Sequence, residues 1–417
     1  MKNNWKKGAL HCHTLWSDGN ALPEAVIQYH LDKGYDFVCL SDHNIVPDDE
    51  NVYLPVRPEA GRWPQDLAVK EYERCKKILP EGCLEEKDVS YRKFVRLKTY
   101  SQLKKEWEKE GKFLLVPGSE ITTGGESFNI PGRIHALHFN TFNLEKSFPV
   151  PTGGTALELT EKALDLYNTE KKENNFFMFN HPFYVMWDGD PRVLMELDEI
   201  IFFEHNNTDS APVPENWIYK REQYWDFVLA HRIHRGKNLL YGTSTSDAHY
   251  YDLESEGKSG YFDTGFVMVN CEEEFTIENI VKSMKKGDFY ASTGTLLQEI
   301  TFDENSGTLY VKAEKEEDLD YKIDFIVTKK DFDKSFIIKE FPFEEKPYFS
   351  RTLPLIPENV GIVAKSIKDV EGSYTLEEDD LYVRCMVTSS RRGRIRKSTI
   401  YPMYETAWTQ PYRKSGR

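Results

Sequence analysis

The sequence is short of the features that would place it in a membrane, on nucleic acid or in a disulfide framework. No apolar run approaches the ~18 residues a membrane-spanning helix needs, and the N-terminus, Met1-Lys2-Asn3-Asn4-Trp5, lacks a hydrophobic signal segment. A soluble, cytoplasmic chain is expected, with export from a longer precursor as the alternative. Basic residues are in deficit: 54 Lys and Arg against 69 Asp and Glu give a net charge of −15. That balance disfavours nucleic acid, whose phosphates demand a basic footprint. It leaves small charged substrates open, because a local group of metal ions can reverse the sign inside one pocket. The six cysteines (Cys12, Cys39, Cys75, Cys83, Cys271 and Cys385) have no paired spacing. Several sit in apolar runs, so reduced, buried thiols are expected. There is no internal repeat and no low-complexity tract.

What is present suits a globular chain. The 417 residues fit two to three domains, and 39% hydrophobic with 13% aromatic content is enough for a sizeable core. From residue 8 to about 295, short apolar runs alternate with helical periodicities. The runs are Ala9–Thr14, Phe37–Ser41, Phe113–Pro117, Ile134–Phe139, Phe176–Asn180, Glu199–Glu204 and Leu239–Thr243, and helices are predicted over Leu22–Lys33, Ala156–Lys172 and Trp217–Arg235. Such alternation predicts a parallel sheet with helical crossovers, either open or closed into a barrel. Residues 48–112 form a long insertion with two predicted helices, Asp66–Lys77 and Tyr100–Lys109, and no predicted strand; its length suggests a lid. Beyond about Leu296 the pattern changes to short alternating runs: Gln298–Phe302, Thr308–Lys312, Tyr321–Thr328, Val360–Ser366, Leu381–Thr388 and Ser398–Tyr404. These predict a separate antiparallel β-domain, of sandwich type, over 296–417.

The histidines and acids fall in phase with the strands. His11-Cys12-His13 ends the first, with Asp18 close behind; Ser41-Asp42-His43 ends the second and Gly118-Ser119-Glu120 the third. His135 and His138 lie in the fourth, His181-Pro182 ends the fifth, Glu204-His205-Asn206 the sixth, and the seventh leads into Asp247-Ala248-His249. In parallel α/β architectures those ends form one face, where active sites assemble. Imidazoles and carboxylates without thiolate spacing suit Zn²⁺, Mn²⁺ or Fe²⁺. There are too many donors for one ion, so two or three divalent ions with a bridging carboxylate are expected. Three ions against Asp18, Glu120 and Asp247 leave about +3, and two leave about +1, an anion trap in either case.

These motifs resemble the PHP superfamily of metallohydrolases, the polymerase and histidinol phosphatase group: His11-x-His13 with Asp18, Asp42-His43, Gly118-x-Glu120, His135, His181-Pro182 and Asp247-x-His249, over roughly residues 5–295. The resemblance implies a distorted (β/α)₇ barrel over 1–295, carrying the insertion 48–112. It implies a first ion on His11, His13, Glu120 and Asp247. Glu120 would bridge to a second ion held by His135 and His181, and Asp18, His43 and His249 would hold a third. The family motif favours His135 over His138, and residues three apart face opposite sides of a strand, so one ligand is expected of the two. The segment Lys286–Gly294 also resembles the close of larger members, which often append a β-sandwich.

The expected function is a metal-dependent phosphoesterase acting on a small phosphate ester through a metal-bound hydroxide, with Glu120 and Asp247 at its catalytic centre. Arg133 is a candidate phosphate clamp. A carbamate, ester or amide hydrolase using the same centre, and a glycan-binding protein working through the β-domain, are the alternatives. Asp42 points away from His43 on its strand and reads as a supporting acid. Glu204-His205-Asn206 could orient a ligand, touch substrate or be structural. His30, His231 and His234 read as structural or solvated, Tyr184 and Trp187 as pocket or packing residues, and the basic cluster around Gly393 as a solvated hairpin tip.

Overall fold

The computed structural model describes residues 4–59, 67–126, 134–183, 189–208, 220–335, 337–342, 350–395 and 402–414. It is a mixed α/β fold built on one large sheet. The first seven strands are β1 (Trp5–Ala9), β2 (Phe37–Leu40), β3 (Leu114–Glu126), β4 (Ile134–Phe142), β5 (Phe176–Phe179), β6 (Phe202–Asn207) and β7 (Tyr241–Thr245). They lie side by side in chain order. The helices between them are α1 (Pro23–Asp32), α2 (Val69–Ile78), α3 (Tyr100–Trp107), α4 (Ala156–Asn168), α5 (Pro191–Glu196) and α6 (Lys220–His234). Local signals set their starts: Pro23 opens α1 with its fixed φ, and Thr155 and Glu158 form a reciprocal capping box at α4. Phe37–Leu40 and Phe176–Phe179 are buried throughout, as strands covered on both faces must be.

The all-parallel expectation needs one correction. β1–β2–β3 and β5–β6–β7 are parallel sets, but β4 runs antiparallel to both its neighbours. Residues 127–133 are too few for a helical crossover, so β3 and β4 form a hairpin instead. β1 also ends earlier than expected, at Ala9, so His11 and His13 lie just past the strand. There Cys12 bridges Ala248 in parallel fashion and His13 N donates to Ala248 O at 2.9 Å, which joins the C-terminal ends of β1 and β7. The insertion holds α2 and α3 and, against expectation, a small sheet of Tyr53–Arg57, Leu67–Ala68, Glu86–Val89 and Arg92–Arg96. Glu86–Val89 is exposed along its whole length, so no apolar alternation marked it.

After β7 come β8 (Phe266–Asn270), antiparallel to β1, α7 (Ile277–Lys286) and β9 (Phe289–Ser292). The C-terminal strands are β10 (Leu297–Asp303), β11 (Thr308–Ala313), β12 (Tyr321–Lys329), β13 (Ile337–Pro342), β14 (Ser350–Leu355), β15 (Ile362–Ile367), β16 (Glu371–Thr375), β17 (Asp380–Arg392) and β18 (Tyr404–Thr409). The large sheet continues antiparallel from β9 through β18, β17 and β12 to β15, while β10, β11 and β16 form a second sheet and β13 pairs with β14. The predicted run Ser398–Tyr404 lies mostly outside the described residues; the strand there is Tyr404–Thr409. Trp408 and Tyr382 join one buried cluster with Phe203, Tyr224 and Trp225, each ring contributing roughly 2–3 kcal/mol of burial. All six cysteines are free thiols and five are buried. Among the described residues, no helix is long and apolar enough to cross a membrane.

Candidate metal centre

The loop after β1 is shaped by Asp42. Its carboxylate accepts from Thr14 N at 2.8 Å, Ser17 Oγ at 2.6 Å and Thr14 Oγ1 at 2.9 Å, the supporting role its orientation predicted. The turn closes at Gly19, where a Cβ would fall 2.4 Å from His13 O, so only glycine lets the chain fold back between His13 and Asp18. His181 and Asp247 have φ of 24° and 48°. Non-glycine residues in this left-handed region are strained and need surrounding contacts to hold them.

Four groups converge in the interior. His11 Nε2 and His13 Nε2 stand 3.1 Å apart. Each lies 3.1 Å from Asp247 Oδ1, and they lie 3.2 and 3.3 Å from Glu120 Oε2. Beside them, Asp18 Oδ1 faces His249 Nε2 at 3.3 Å, His43 Nε2 at 3.5 Å and His13 Nδ1 at 3.7 Å. Glu120 also meets His43 Nδ1 at 3.1 Å, His138 Nδ1 at 2.7 Å and His181 Nε2 at 3.1 Å. The structure thus gathers His11, His13, Asp18, His43, Glu120, His138, Asp247 and His249 into three overlapping groups of candidate ligands, with His181 against Glu120 beside them. The inner four are almost wholly buried, whereas the side chains of Asp18, His43 and His249 keep 30%, 19% and 16% of their exposure. Solvent therefore reaches the centre from that side.

Of the two fourth-strand histidines, His138 has a described side chain, and it joins the site. Its Nδ1 lies 2.7 Å from Glu120 Oε1. β4 runs antiparallel, so its early residues face the rim where the other strands end, and His138 is the one in register with Thr122, two residues past Glu120. The His135 side chain lies outside the described residues, as do Arg133, Tyr184 and Trp187.

The donor set fits divalent ions on its own chemistry. His11 Nδ1 is committed to Glu204 Oε1 at 2.7 Å, so in the neutral ring Nε2 carries a lone pair aimed at two carboxylates and a second imidazole. Asp18 Oδ1 is buried among three imidazole nitrogens and accepts a hydrogen bond from none of them. Ligands ~2.1 Å from an ion in tetrahedral array stand ~3.4 Å from one another, which is the spacing found here. The electrostatics demand positive charge. Burial favours neutral His11, yet Asp247, Glu120 and Glu204 pull its pKa well above the ordinary value. Burial and His249 oppose the same effect at His13, which is still raised to about 8 by Asp247 and Glu120. Against burial, imidazoles hold Glu120, Asp18 and Asp247 below the ordinary carboxylate range. Burial pushes His138 down to about 4, the neutral state in which an imidazole ligates.

Sequence reasoning left open Glu204 and missed two asparagines. Glu204 orients His11, Asn180 Nδ2 donates to Glu120 Oε1 at 2.9 Å, and Asn207 Nδ2 lies 3.1 Å from Asp247 Oδ2. Their signal was position alone, at the ends of β5 and β6. His30 is buried and bonds Val26 O at 2.8 Å, away from the centre. In the basic cluster near Gly393, Arg391 and Arg394 are exposed and paired, Arg391 with the exposed Glu316 and Arg394 with the buried Asp263.

Fold and site together define a mixed α/β protein with a second β-domain, whose large sheet carries a histidine and carboxylate cluster compatible with a metal site. No family profile and no curated protein matches the chain. Among solved structures it is similar to a two-domain protein from Bacteroides vulgatus, described as containing a predicted PHP-like metal-dependent phosphoesterase. Identity is 17%, the match covers 90% of this chain and 96% of that one, and the TM-score is 0.38.

Proposed function

We propose that this protein is a metal-dependent phosphoesterase acting on a small phosphorylated compound. The observation that carries the reading is the ring of imidazole nitrogens and carboxylate oxygens at ligand spacing, closed within and open at Asp18, His43 and His249. In this reading β1–β7 form a distorted (β/α)₇ barrel over 1–295, and 296–417 is the appended β-domain. His11, His13, Glu120 and Asp247 would hold one ion, Glu120, His138 and His181 a second, and Asp18, His43 and His249 a third. Bound divalent ions supply Lewis acidity and bring the pKa of a coordinated water toward neutrality.

The chain's own residues bind and orient. Glu120 offers one oxygen to the inner group and the other to His138 and His181, so it would serve two neighbouring ions when both are bound. His249 Nδ1 faces Asp247 O at 2.8 Å, which directs its Nε2 to Asp18. The half-exposed Asp18 side is where a phosphate approaches, and Arg133, in the β3–β4 connection, is the candidate clamp. The test is elemental analysis with turnover of p-nitrophenyl phosphate, its bis-ester and p-nitrophenyl acetate. Two to three equivalents of metal and phosphate-ester turnover, both lost in Glu120→Ala, support the reading. Acetate turnover alone transfers the centre to carbonyl hydrolysis, and absence of metal after reconstitution removes the assignment.

A further inference from the structure

Strand β6 is irregular where it meets the metal centre. Phe202, Phe203 and Glu204 pair with Tyr241, Gly242 and Thr243, but Ser244 and Thr245 then face Asn206 and Asn207, and His205 is passed over. In a regular strand, residues three apart point to opposite faces. The extra residue of this bulge turns Glu204 and Asn207 to the same side. Both use it. Glu204 Oε1 accepts from His11 Nδ1 and Thr245 Oγ1, each at 2.7 Å, and Oε2 accepts from His181 N and Asn207 Nδ2, each at 2.8 Å. One fully buried carboxylate is thereby tied to His11 and to the strained backbone of His181, and through Asn207 to Asp247.

His205 points the other way. Its ring lies 4.9 Å from that of Trp225 and 5.4 Å from that of Trp408. Its Nε2 donates to Glu222 Oε1, on α6, at 3.0 Å. The same oxygen accepts from Trp408 Nε1 at 2.8 Å, and Glu222 Oε2 faces an Arg384 guanidinium nitrogen at 3.0 Å. Trp408 and Arg384 belong to β18 and β17 and are fully buried. A strand whose register slips by one residue turns every side chain over, so whatever pins His205 outward also fixes which groups face inward.

We propose that the C-terminal strands brace the metal centre: Trp408 and Arg384, acting through Glu222, pin the bulged His205 and so hold Glu204 and Asn207 against His11, His181 and Asp247. These are positioning residues, and the role rests on the metal-centre reading above. The test titrates Mn²⁺ into the full-length parent, Glu204→Gln, Trp408→Phe and Tyr382→Phe, alongside hydrogen exchange over residues 202–207 and thermal unfolding. Trp408→Phe keeps a ring but removes the donor to Glu222. Tyr382→Phe removes a hydrogen bond to Asp226 at the same interface without touching Glu222.

The expected result is Mn²⁺ binding at least ~10-fold weaker in Glu204→Gln and Trp408→Phe, with faster exchange over 202–207 in the latter. Tyr382→Phe should unfold at lower temperature and bind Mn²⁺ like the parent. Glu222→Gln gives the same comparison should Trp408→Phe not fold. The proposal is overturned if Trp408→Phe speeds exchange yet binds Mn²⁺ normally, or if Tyr382→Phe weakens Mn²⁺ as much as Trp408→Phe does. A parent that binds neither Mn²⁺ nor Zn²⁺ overturns the metal-centre reading itself, and the brace with it.

Discussion

Arg384 brings a positive charge into the interior between α6 and β17, and its removal has a calculable cost. Its side chain is fully buried; Nε and one terminal nitrogen donate to Asp226 at 2.8 and 2.6 Å, and the other terminal nitrogen faces Glu222 at 3.0 Å. Asp226 is equally buried, and Tyr382 Oη also donates to it at 2.7 Å. In Arg384→Met the aspartate keeps the tyrosine but loses its counter-charge in a site that water does not reach. Breaking a buried pair in this way costs about 3–5 kcal/mol, because desolvation of the survivor is no longer offset. At about 2 °C per kcal/mol for a chain of this size, Tm should fall by about 6–10 °C. Asp226→Leu alone should cost a similar amount. The double variant should recover most of the loss, since an apolar pair of similar volume is about as stable as a buried ion pair, giving a coupling energy of at least ~2 kcal/mol. Thermal and guanidinium unfolding of the three variants measure this. A single-variant cost under ~1 kcal/mol, or a double variant that merely sums the singles, would refute the reading of a desolvated, mutually dependent pair.

Two further outcomes follow from the site and the core. His138→Ala should lose about one equivalent of metal and slow hydrolysis ~100-fold, whereas His135→Ala should leave both within about twofold; the reverse result restores His135 as the ligand. Burial pushes His30 down to about 4, helped by Lys7 and opposed by its bond to Val26 O and by Asp263. The unfolded chain therefore takes up this proton at higher pH than the folded one, and stability falls as pH drops from about 6.5 to 4. Between pH 7 and 5 the parent should lose about 2 kcal/mol more than His30→Phe in urea unfolding, and equal pH slopes would remove His30 as the cause.

Much of the site was legible because ligand chemistry leaves few residue types to choose from. The resemblance implies the sets His11, His13, Glu120 and Asp247, and Asp18, His43 and His249, and the side chains of each set lie together. What the sequence hid was direction. Nothing in Ile134–Phe142 says that the strand runs backwards; that follows from the shortness of 127–133, and it sets His138 beside Thr122, two residues past Glu120. The strand Glu86–Val89 carries no apolar alternation because neither of its faces is buried. The bulge at His205 was invisible for a further reason. Glu204-His205-Asn206-Asn207 reads as polar throughout, so no period distinguishes a regular strand from one with an extra residue. Only pairing with Thr243 and Ser244 exposes it. The supporting asparagines share that fate, since an amide that holds a ligand looks like any other polar residue at a strand end.

Glu204 also changes the charge argument that first suggested a phosphate. The candidate ligands include three carboxylates, and Glu204, fully buried and hydrogen-bonded to His11, adds another directly behind them. Six positive charges from three divalent ions against four carboxylates leave about +2, which matches a phosphate dianion and brings the occupied site close to neutral. Two ions leave a centre near zero, with nothing to draw an anion into a protein of net charge −15. On the proposed reading, phosphate binding would therefore depend on the solvent-facing group of Asp18, His43 and His249 holding an ion. A neutral carbonyl ester makes no such demand. On that reading, the number of ions bound at the open side, more than the identity of the metal, would separate phosphate-ester from carbonyl-ester hydrolysis.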